Sequence, residues 1–177
     1  MEPIASPAIA LRRYDASEAS DVHDFHQVVL GLDGAMVMAV DGVGQRIDRH
    51  GAWLIPAGSR HDYAGLGENR QLVLDLPASS LAVPQRLFDG ARALSIDPRL
   101  SALVAQVAAG AARFDATPGD AQRAAAHRFH WQAAAQLCGA LLGHNGLAAP
   151  AAGPAFARTD QWLGARPAGR ALCRSLA

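Results

Sequence analysis

The most constraining feature of this sequence is the run from His23 to Leu76, where short apolar segments alternate with glycine-bearing turns roughly every eight to ten residues. Two of the turns are the pairs Asp33-Gly34 and Asp41-Gly42. Both residues of an Asp-Gly pair tolerate positive φ, as a type I′ hairpin turn requires. The segment AMVMAV between the pairs is apolar at almost every position, so both faces of its strand should be covered. The pattern therefore predicts an all-β core, as a sandwich or a small barrel.

A second signal for a turn between strands follows at Pro56, Gly58 and His61. Proline ends the apolar segment before it and glycine permits a sharp reversal, so His61 should begin the next strand. We expect a loop over 15–22 and strands over 8–14, 24–32, 35–40, 43–49, 52–55, 61–64 and 70–76.

After Pro84 the apolar spacing becomes helical. Asp97-Pro98 supplies an N-cap followed by proline at the first helical position, and Gly110 is a natural end for this helix. A second, longer helix should begin near Thr117 and reach about Leu142.

The second helix carries two apolar stripes. One contains Trp131, Ala134, Ala135, Cys138, Leu141 and Leu142, and the other contains Ala126, Phe129, Ala133, Leu137 and Ala140. A helix that covers only its own sheet needs one stripe, so two stripes predict a homodimer contact. The expected interface residues are Phe129, Trp131, Leu137, Cys138 and Leu141. The alternative is that both stripes pack inside one subunit.

Composition excludes several classes of protein. The net formal charge is +0, so the chain lacks the basic excess of a complete nucleic-acid-binding protein. Two cysteines, Cys138 and Cys173, are too few for a disulfide framework. The N-terminus has no signal-peptide pattern, and no apolar run approaches the roughly 20 residues of a membrane span. We expect a cytoplasmic protein that does not enter the membrane.

Three strings in this order, HDFHQVVLGLDG, WLIPAGSRHDYAGLG and NRQLVLDLP, resemble the cupin-type sensor domain of AraC-like bacterial transcription regulators. The resemblance covers roughly residues 10–145, with a fainter continuation over about 156–166. It implies a cupin-like double-stranded β-helix, or jelly-roll barrel, followed by a helical pair and a short tail.

The resemblance also divides the chain. Residues 1–84 would form the cupin-like barrel, and residues 85–145 a helical subdomain for dimerisation. Residues 146–177 would hold a linker and the remnant of the first helix of an AraC-type DNA-binding domain. The helix-turn-helix units of such a domain have no match in this sequence, so contact with DNA would need a domain outside it.

Cupins that bind a metal use His-x-His-x-x-x-Glu and a later histidine, because alternate residues of a strand point to the same side. The corresponding residues here are Asp21, His23, Gln27 and His61. Asp21, His23 and His61 could hold a divalent ion such as Zn, Ni, Fe or Mn, with Gln27 as a weaker ligand. The alternative is that the two histidines are polar residues at the barrel mouth that bind water or a ligand.

A barrel that catalyses no reaction can still enclose a small molecule. From strand parity we expect the ligand-binding residues to be His23, Gln27, Met36, Met38, Trp53, His61 and Tyr63. No catalytic residues are expected, since the sequence has no G-x-S-x-G motif and no phosphate-binding loop.

Three functions compete. The first is the effector-sensing and dimerisation domain of an AraC-like regulator, which binds a small-molecule effector and is not an enzyme. The second is a small metal-dependent cupin enzyme of the dioxygenase or isomerase type. The third is an interaction protein that forms mixed dimers with a full-length relative.

Overall fold

The computed structural model describes residues 4–114 and 120–144. Over these ranges the strands are β1 (Ala8–Arg12), β2 (Ala19–Asp21), β3 (His26–Asp33), β4 (Met36–Val40), β5 (Val43–Ile47), β6 (Gly51–Ile55), β7 (His61–Gly65), β8 (Arg70–Leu76) and β9 (Arg92–Ser95). A short 3-10 helix spans Gln85–Leu87, and two α-helices follow, α1 (Pro98–Ala111) and α2 (Asp120–Gly143).

The strands form two antiparallel sheets. A five-stranded sheet has the order β1-β8-β3-β6-β9, and a four-stranded sheet has the order β2-β7-β4-β5. Strands β2 and β9 were not predicted. Strand β2 is a three-residue polar strand at a sheet edge, and β9 has only four residues, so neither carries a readable alternation. Strand β9 also lies after Pro84, where only helical structure was expected.

The central strands of the larger sheet are buried on both faces because each face has its own cover. In β3, Val28 and Leu30 point to the outer face and join a cluster that includes both helices. Val29 points to the inner face, level with Trp53 of β6 and Val73 of β8. That inner cluster also contains Met36 and Met38 from the smaller sheet. The apolar strands are therefore the middle layer of a helix–sheet–sheet arrangement.

Two glycines mark one end of the space between the sheets. A Cβ atom added to Gly31 would lie 1.7 Å from the carbonyl oxygen of Asp48, and one added to Gly65 would lie 2.0 Å from that of Tyr14. Backbone from neighbouring segments therefore covers this end, and any side chain there would collide with it. We call this the closed end; the opposite end, where His61 begins β7, is the rim.

The hairpin turn at Asp41-Gly42 has positive φ at both residues, 48° and 82°, as predicted for a type I′ turn. The Asp33-Gly34 turn differs, because Asp33 remains extended at the end of β3 and pairs with Arg70. Its carboxylate accepts a hydrogen bond of 2.6 Å from the Arg70 guanidinium.

Within the described residues both helices form where the sequence predicts them, but α1 continues through the predicted end at Gly110 to Ala111. Asp97 caps α1, accepting a hydrogen bond of 2.8 Å from the Leu100 backbone N–H, and Pro98 occupies the first turn. Helix α2 has 24 residues. Its predicted cap Thr117 and the predicted tail 146–177 lie outside the described residues. The prediction of a mainly β chain with two helices after the sheets is confirmed. Neither α1 nor α2 is long and apolar enough to cross a membrane.

Candidate functional site

The space between the two sheets receives every inward-pointing side chain of β3, β4, β6, β7 and β8. It brings together the predicted ligand-binding residues Met36, Met38, Trp53 and Tyr63, which share one buried cluster. Gln27 points into the same space, level with Ile55 of that cluster. His23 and His61 lie at the rim. The structure therefore assembles the predicted set in one place, while ligand binding by that set stays a prediction.

The two rim histidines are neighbours and both are buried. Their ring centroids are 4.9 Å apart, and the His23 ring also stacks on Phe25 at 4.0 Å. The turn after β6 is tied to this point by a hydrogen bond of 2.8 Å from the Gly58 N–H to the His23 carbonyl. The Pro-x-Gly turn thus sets the position of His61 relative to His23.

Each rim histidine has a defined tautomer when its ring is neutral. The Nδ1 atom of His23 lies 2.7 Å from the Phe25 carbonyl oxygen, and that of His61 lies 3.3 Å from the Ser59 carbonyl oxygen. A carbonyl can only accept, so Nδ1 carries the proton and Nε2 carries a lone pair. Burial lowers the pKa of His61, which favours this neutral form. The Nε2 atom of His23 is buried without a hydrogen-bond partner.

Asp21, the third expected metal ligand, is exposed, whereas the two imidazoles are buried. It is opposite His61 in the β2–β7 register, and its carboxylate accepts a hydrogen bond of 2.8 Å from the Val22 N–H. Among the described residues no group of three or more His, Cys, Asp or Glu side chains is arranged to hold a metal ion. A metal at Asp21, His23 and His61 therefore stays a prediction.

Gln27, the expected weak ligand, is bound to a charged pair. Its Nε2 donates a hydrogen bond of 2.8 Å to Asp75, whose other carboxylate oxygen accepts from the Arg12 guanidinium. In this cluster of Arg12, Asp75 and Gln27, Asp75 is 7% exposed and Gln27 is buried, while the Arg12 side chain is partly exposed. The charges of this cluster are mutually compensated.

Two tyrosines pack beside this charged cluster. The rings of Tyr14 and Tyr63 are 5.1 Å apart in an edge-to-face arrangement. Burial raises the pKa of Tyr14 to about 12, so its phenol is neutral at physiological pH. The neutral Tyr14 phenol thus lies next to one compensated ion pair.

Four residues of this site were not predicted from the sequence: Arg12, Tyr14, Gln71 and Asp75. A signal was present for two of them, because Gln71 and Asp75 alternate with the leucines of QLVLDL and therefore share the inner face of β8. Arg12 and Tyr14 come from the first strand and the segment after it, whose pairing with β8 no local pattern reveals.

Three inward-facing side chains carry polar atoms that have no hydrogen-bond partner among the described residues. These atoms are the indole Nε1 of Trp53, both amide atoms of Gln71 and the Nε2 of His23, and all of them are buried. Trp53 is 1% and Gln71 is 0% exposed. Buried polar atoms in native proteins are nearly always satisfied, so unsatisfied ones concentrated in one space suggest that something else binds there.

His26 begins β3 on the outer face of the strand, the face on which Val28 and Leu30 pack with the helices. It packs there: its ring stacks on Phe88 at 4.2 Å, and Nε2 lies 3.2 Å from the Gln85 side-chain oxygen. Its Nδ1 accepts a hydrogen bond of 3.0 Å from the Ala57 N–H. Burial lowers the pKa of His26, in keeping with a neutral ring that accepts at Nδ1. His26 therefore joins the rim turn to the 3-10 helix.

Residues from both apolar stripes of helix α2 pack against the subunit's own sheet and α1, whereas Ala135 of the first stripe is exposed. Leu137, Cys138 and Leu141 are buried in the outer cluster, and burial raises the pKa of the Cys138 thiol to about 11. These three side chains therefore pack as the alternative described, inside the subunit. Phe129 is half-buried over Gly110 and Phe114, and the half-buried Trp131 contacts His127. A homodimer contact through this helix stays a prediction.

A surface cavity of about 320 Å³ lies away from the rim, lined by Arg13, Asp33, Glu68, Asn69 and Arg70. Its four charged side chains pair with one another, Arg70 with Asp33 and Arg13 with Glu68. It therefore offers no unpaired charge to a ligand.

No known protein family matches the sequence, and no curated protein matches it. Apo ToxT from Vibrio cholerae is similar in structure, with 8% identity and a TM-score of 0.52 over 88% of this chain and 64% of that chain. EutQ, an ethanolamine utilization protein from Salmonella typhimurium, has 19% identity and a TM-score of 0.38 over 42% of this chain and 61% of its own. The Cnp3 cupin domain of Schizosaccharomyces pombe has 15% identity and a TM-score of 0.38 over 44% of this chain and 60% of its own.

The chain thus spans about three fifths of the length of the EutQ and Cnp3 structures it resembles. At these identities the likeness concerns the fold and nothing finer. The fold is a cupin-like jelly roll with two helices after the sheets.

Proposed function

We propose that this chain is the effector-sensing and dimerisation domain of an AraC-like bacterial transcription regulator. A small molecule would bind between the two sheets, and its binding would be relayed to a DNA-binding domain. The observation that carries the proposal is the set of inward-facing polar atoms without partners, on Trp53, Gln71 and His23. A core that served stability alone would gain from apolar residues there.

The class of regulator comes from the sequence resemblance, and the fold is compatible with it. ToxT, an AraC-family protein, matches over 88% of this chain in fold. Within residues 4–114 and 120–144, no third metal-binding side chain is arranged with the two rim histidines to hold a metal ion.

A route from the binding space to the helices runs through β3. Gln27 and Val29 face the space between the sheets, whereas Val28 and Leu30 pack with the helices on the other side. A ligand that shifts β3 would change the packing of both layers together. Such a shift acts only as far as the ligand binds one arrangement better than the other.

His26 offers a second route. It links the turn that positions His61 to the 3-10 helix, and that helix contacts α2. Movement of the rim turn on ligand binding would therefore be felt at α2, the expected dimer helix.

The test is a thermal-shift screen of the purified chain against a panel of small metabolites, followed by the double variant His23→Ala/His61→Ala. We expect a compound that raises the melting temperature of the wild type, and a smaller rise in the double variant, whose fold stays intact. Sedimentation of the wild type, with and without that compound, reports the dimer. A chain that binds nothing in the panel and stays monomeric at all concentrations contradicts the proposal.

A metal-dependent cupin enzyme is the second candidate, favoured by the two imidazoles with Nε2 lone pairs at the rim. A divalent ion bound there would supply Lewis-acid or redox chemistry, and the remaining coordination positions would be open to substrate. Elemental analysis for Zn, Ni, Fe and Mn distinguishes the candidates. One equivalent of metal in the wild type and none in His23→Ala/His61→Ala, together with turnover, would favour the enzyme over the sensor.

A further inference from the structure

Two unpartnered side chains identify a polar region deep between the sheets, away from the rim. Gln71 of β8 is opposite Gly31, the residue that marks the closed end. Trp53 of β6 is level with Val29 and Val73, one inward position nearer the rim. Two strand spacings of about 4.8 Å each separate β6 from β8, within reach of an indole and a glutamine side chain from opposite directions.

The hydrogen-bonding capacity of this region is defined. The Trp53 indole can only donate, whereas the Gln71 amide can donate and accept. None of these atoms has a hydrogen-bond partner within the described part of the chain. A molecule between them therefore needs an acceptor for the indole and at least one donor and one acceptor for the amide. Hydroxyl and amide groups meet that requirement.

The charges of the interior favour an uncharged molecule. The Arg12 guanidinium pairs with Asp75, and Gln27 binds the other oxygen of that carboxylate. An ionic ligand would therefore meet no free counter-charge, and a buried unpaired charge is strongly disfavoured.

Neighbouring side chains can adapt to an occupant. Met36 and Met38 belong to the same inner cluster as Trp53. Methionine has three rotatable bonds and fills irregular space, so the wall it forms can adjust to a small molecule.

We propose that the region between Gln71 and Trp53 is a subsite for an uncharged small molecule bearing hydroxyl or amide groups. This inference rests on the proposed sensing function and specifies the chemistry of its effector. The subsite is distinct from the rim histidines and would bind the part of the effector that enters furthest.

The first test is the stability of the ligand-free protein after a substitution at each of two buried glutamines. Gln71→Leu removes an amide without partners, so we expect the unfolding equilibrium constant to fall roughly five- to tenfold. Gln27→Leu is the matched control, since its amide binds Asp75 on the same inner face. It should raise that constant by a similar factor. A Gln71→Leu protein that is destabilised as much as Gln27→Leu would overturn the proposal, because its amide would then already be satisfied.

The second test uses acetamide and acetate, which have the same shape and differ in charge. The readout is the indole N–H signal of Trp53 in ¹⁵N NMR spectra, assigned by its loss in Trp53→Phe. Acetamide should shift this signal in the wild type and at least tenfold less at equal concentration in Gln71→Leu, while acetate should leave it unchanged. An equal shift by acetate, no shift by acetamide, or an undiminished shift in Gln71→Leu would each overturn the proposal.

The outcomes separate this inference from the sensing function. A charged effector found by thermal shift, with contacts at the rim only, would overturn the subsite and leave the sensor. Metal-dependent turnover would overturn the sensor, while the two glutamine variants would still report on the subsite.

Discussion

Removal of the Asp75 carboxylate should lower the free energy of unfolding, because this carboxylate binds both Gln27 and Arg12. Asp75→Leu leaves the Gln27 amide buried without its acceptor, at a cost of about 1–3 kcal/mol. It also leaves the Arg12 charge unpaired. The Arg12 side chain is 39% exposed, so water still reaches it and the cost of a fully buried broken pair does not apply. We expect a total loss of about 2–4 kcal/mol in the free energy of unfolding.

The assay is urea unfolding at pH 7, with a double-mutant cycle. Arg12→Leu and Asp75→Leu should each destabilise the protein, and the double variant should lose less than the sum because no charge is left unpaired. The exposed Asp33–Arg70 pair provides a matched control. Asp33→Asn should cost less than about 1 kcal/mol, as exposed ion pairs do. A wild-type unfolding midpoint in Asp75→Leu, or strict additivity in the cycle, would refute the description of a coupled interior cluster.

Three further predictions concern other parts of the fold. Burial lowers the pKa of His26 and His61, so the unfolded chain takes up protons that the folded chain does not. The free energy of unfolding should therefore be constant above about pH 6.5 and should decrease as the pH falls below that value. The decrease should be at most about 1.4 kcal/mol per pH unit for each histidine. Urea midpoints that stay constant between about pH 8 and 5 would contradict this. Gly31→Ala should lose several kcal/mol because its methyl group meets backbone, whereas Gly139→Ala on α2 has open space and should gain about 0.5–1 kcal/mol; thermal unfolding of both variants tests the contrast. Trp131→Ala should weaken self-association at least tenfold in sedimentation experiments with little change in melting temperature, and an unchanged dimer would exclude that side chain from the interface.

Much of the fold follows from local patterns in the sequence. The Asp41-Gly42 pair sets a hairpin turn through its own backbone, and Asp97-Pro98 starts a helix through its own cap. Strand parity also separates the inner residue Trp53 from its outer neighbours. These signals act over a few residues, so they can be read from a single sequence.

The missing parts depend on contacts between distant residues. Arg12 reaches Asp75 across 63 positions of sequence, and Gln27 reaches it across 48. The contact of Gln27 with Asp75 could not be read from the sequence, which showed only the place of Gln27 in the metal motif. The side chains that cover the two stripes of α2 could not be read for a similar reason. The sequence shows that Leu137 is on an apolar face but not that its own sheet covers that face.

A crystal structure of this chain with a thermal-shift hit bound would show directly whether the space between the two sheets is the binding site. We expect electron density for the compound between the sheets, with hydrogen bonds to the Trp53 indole and the Gln71 amide and the rim histidines above it. Density for the compound in the surface cavity or against α2, with the space between the sheets unchanged, would contradict it.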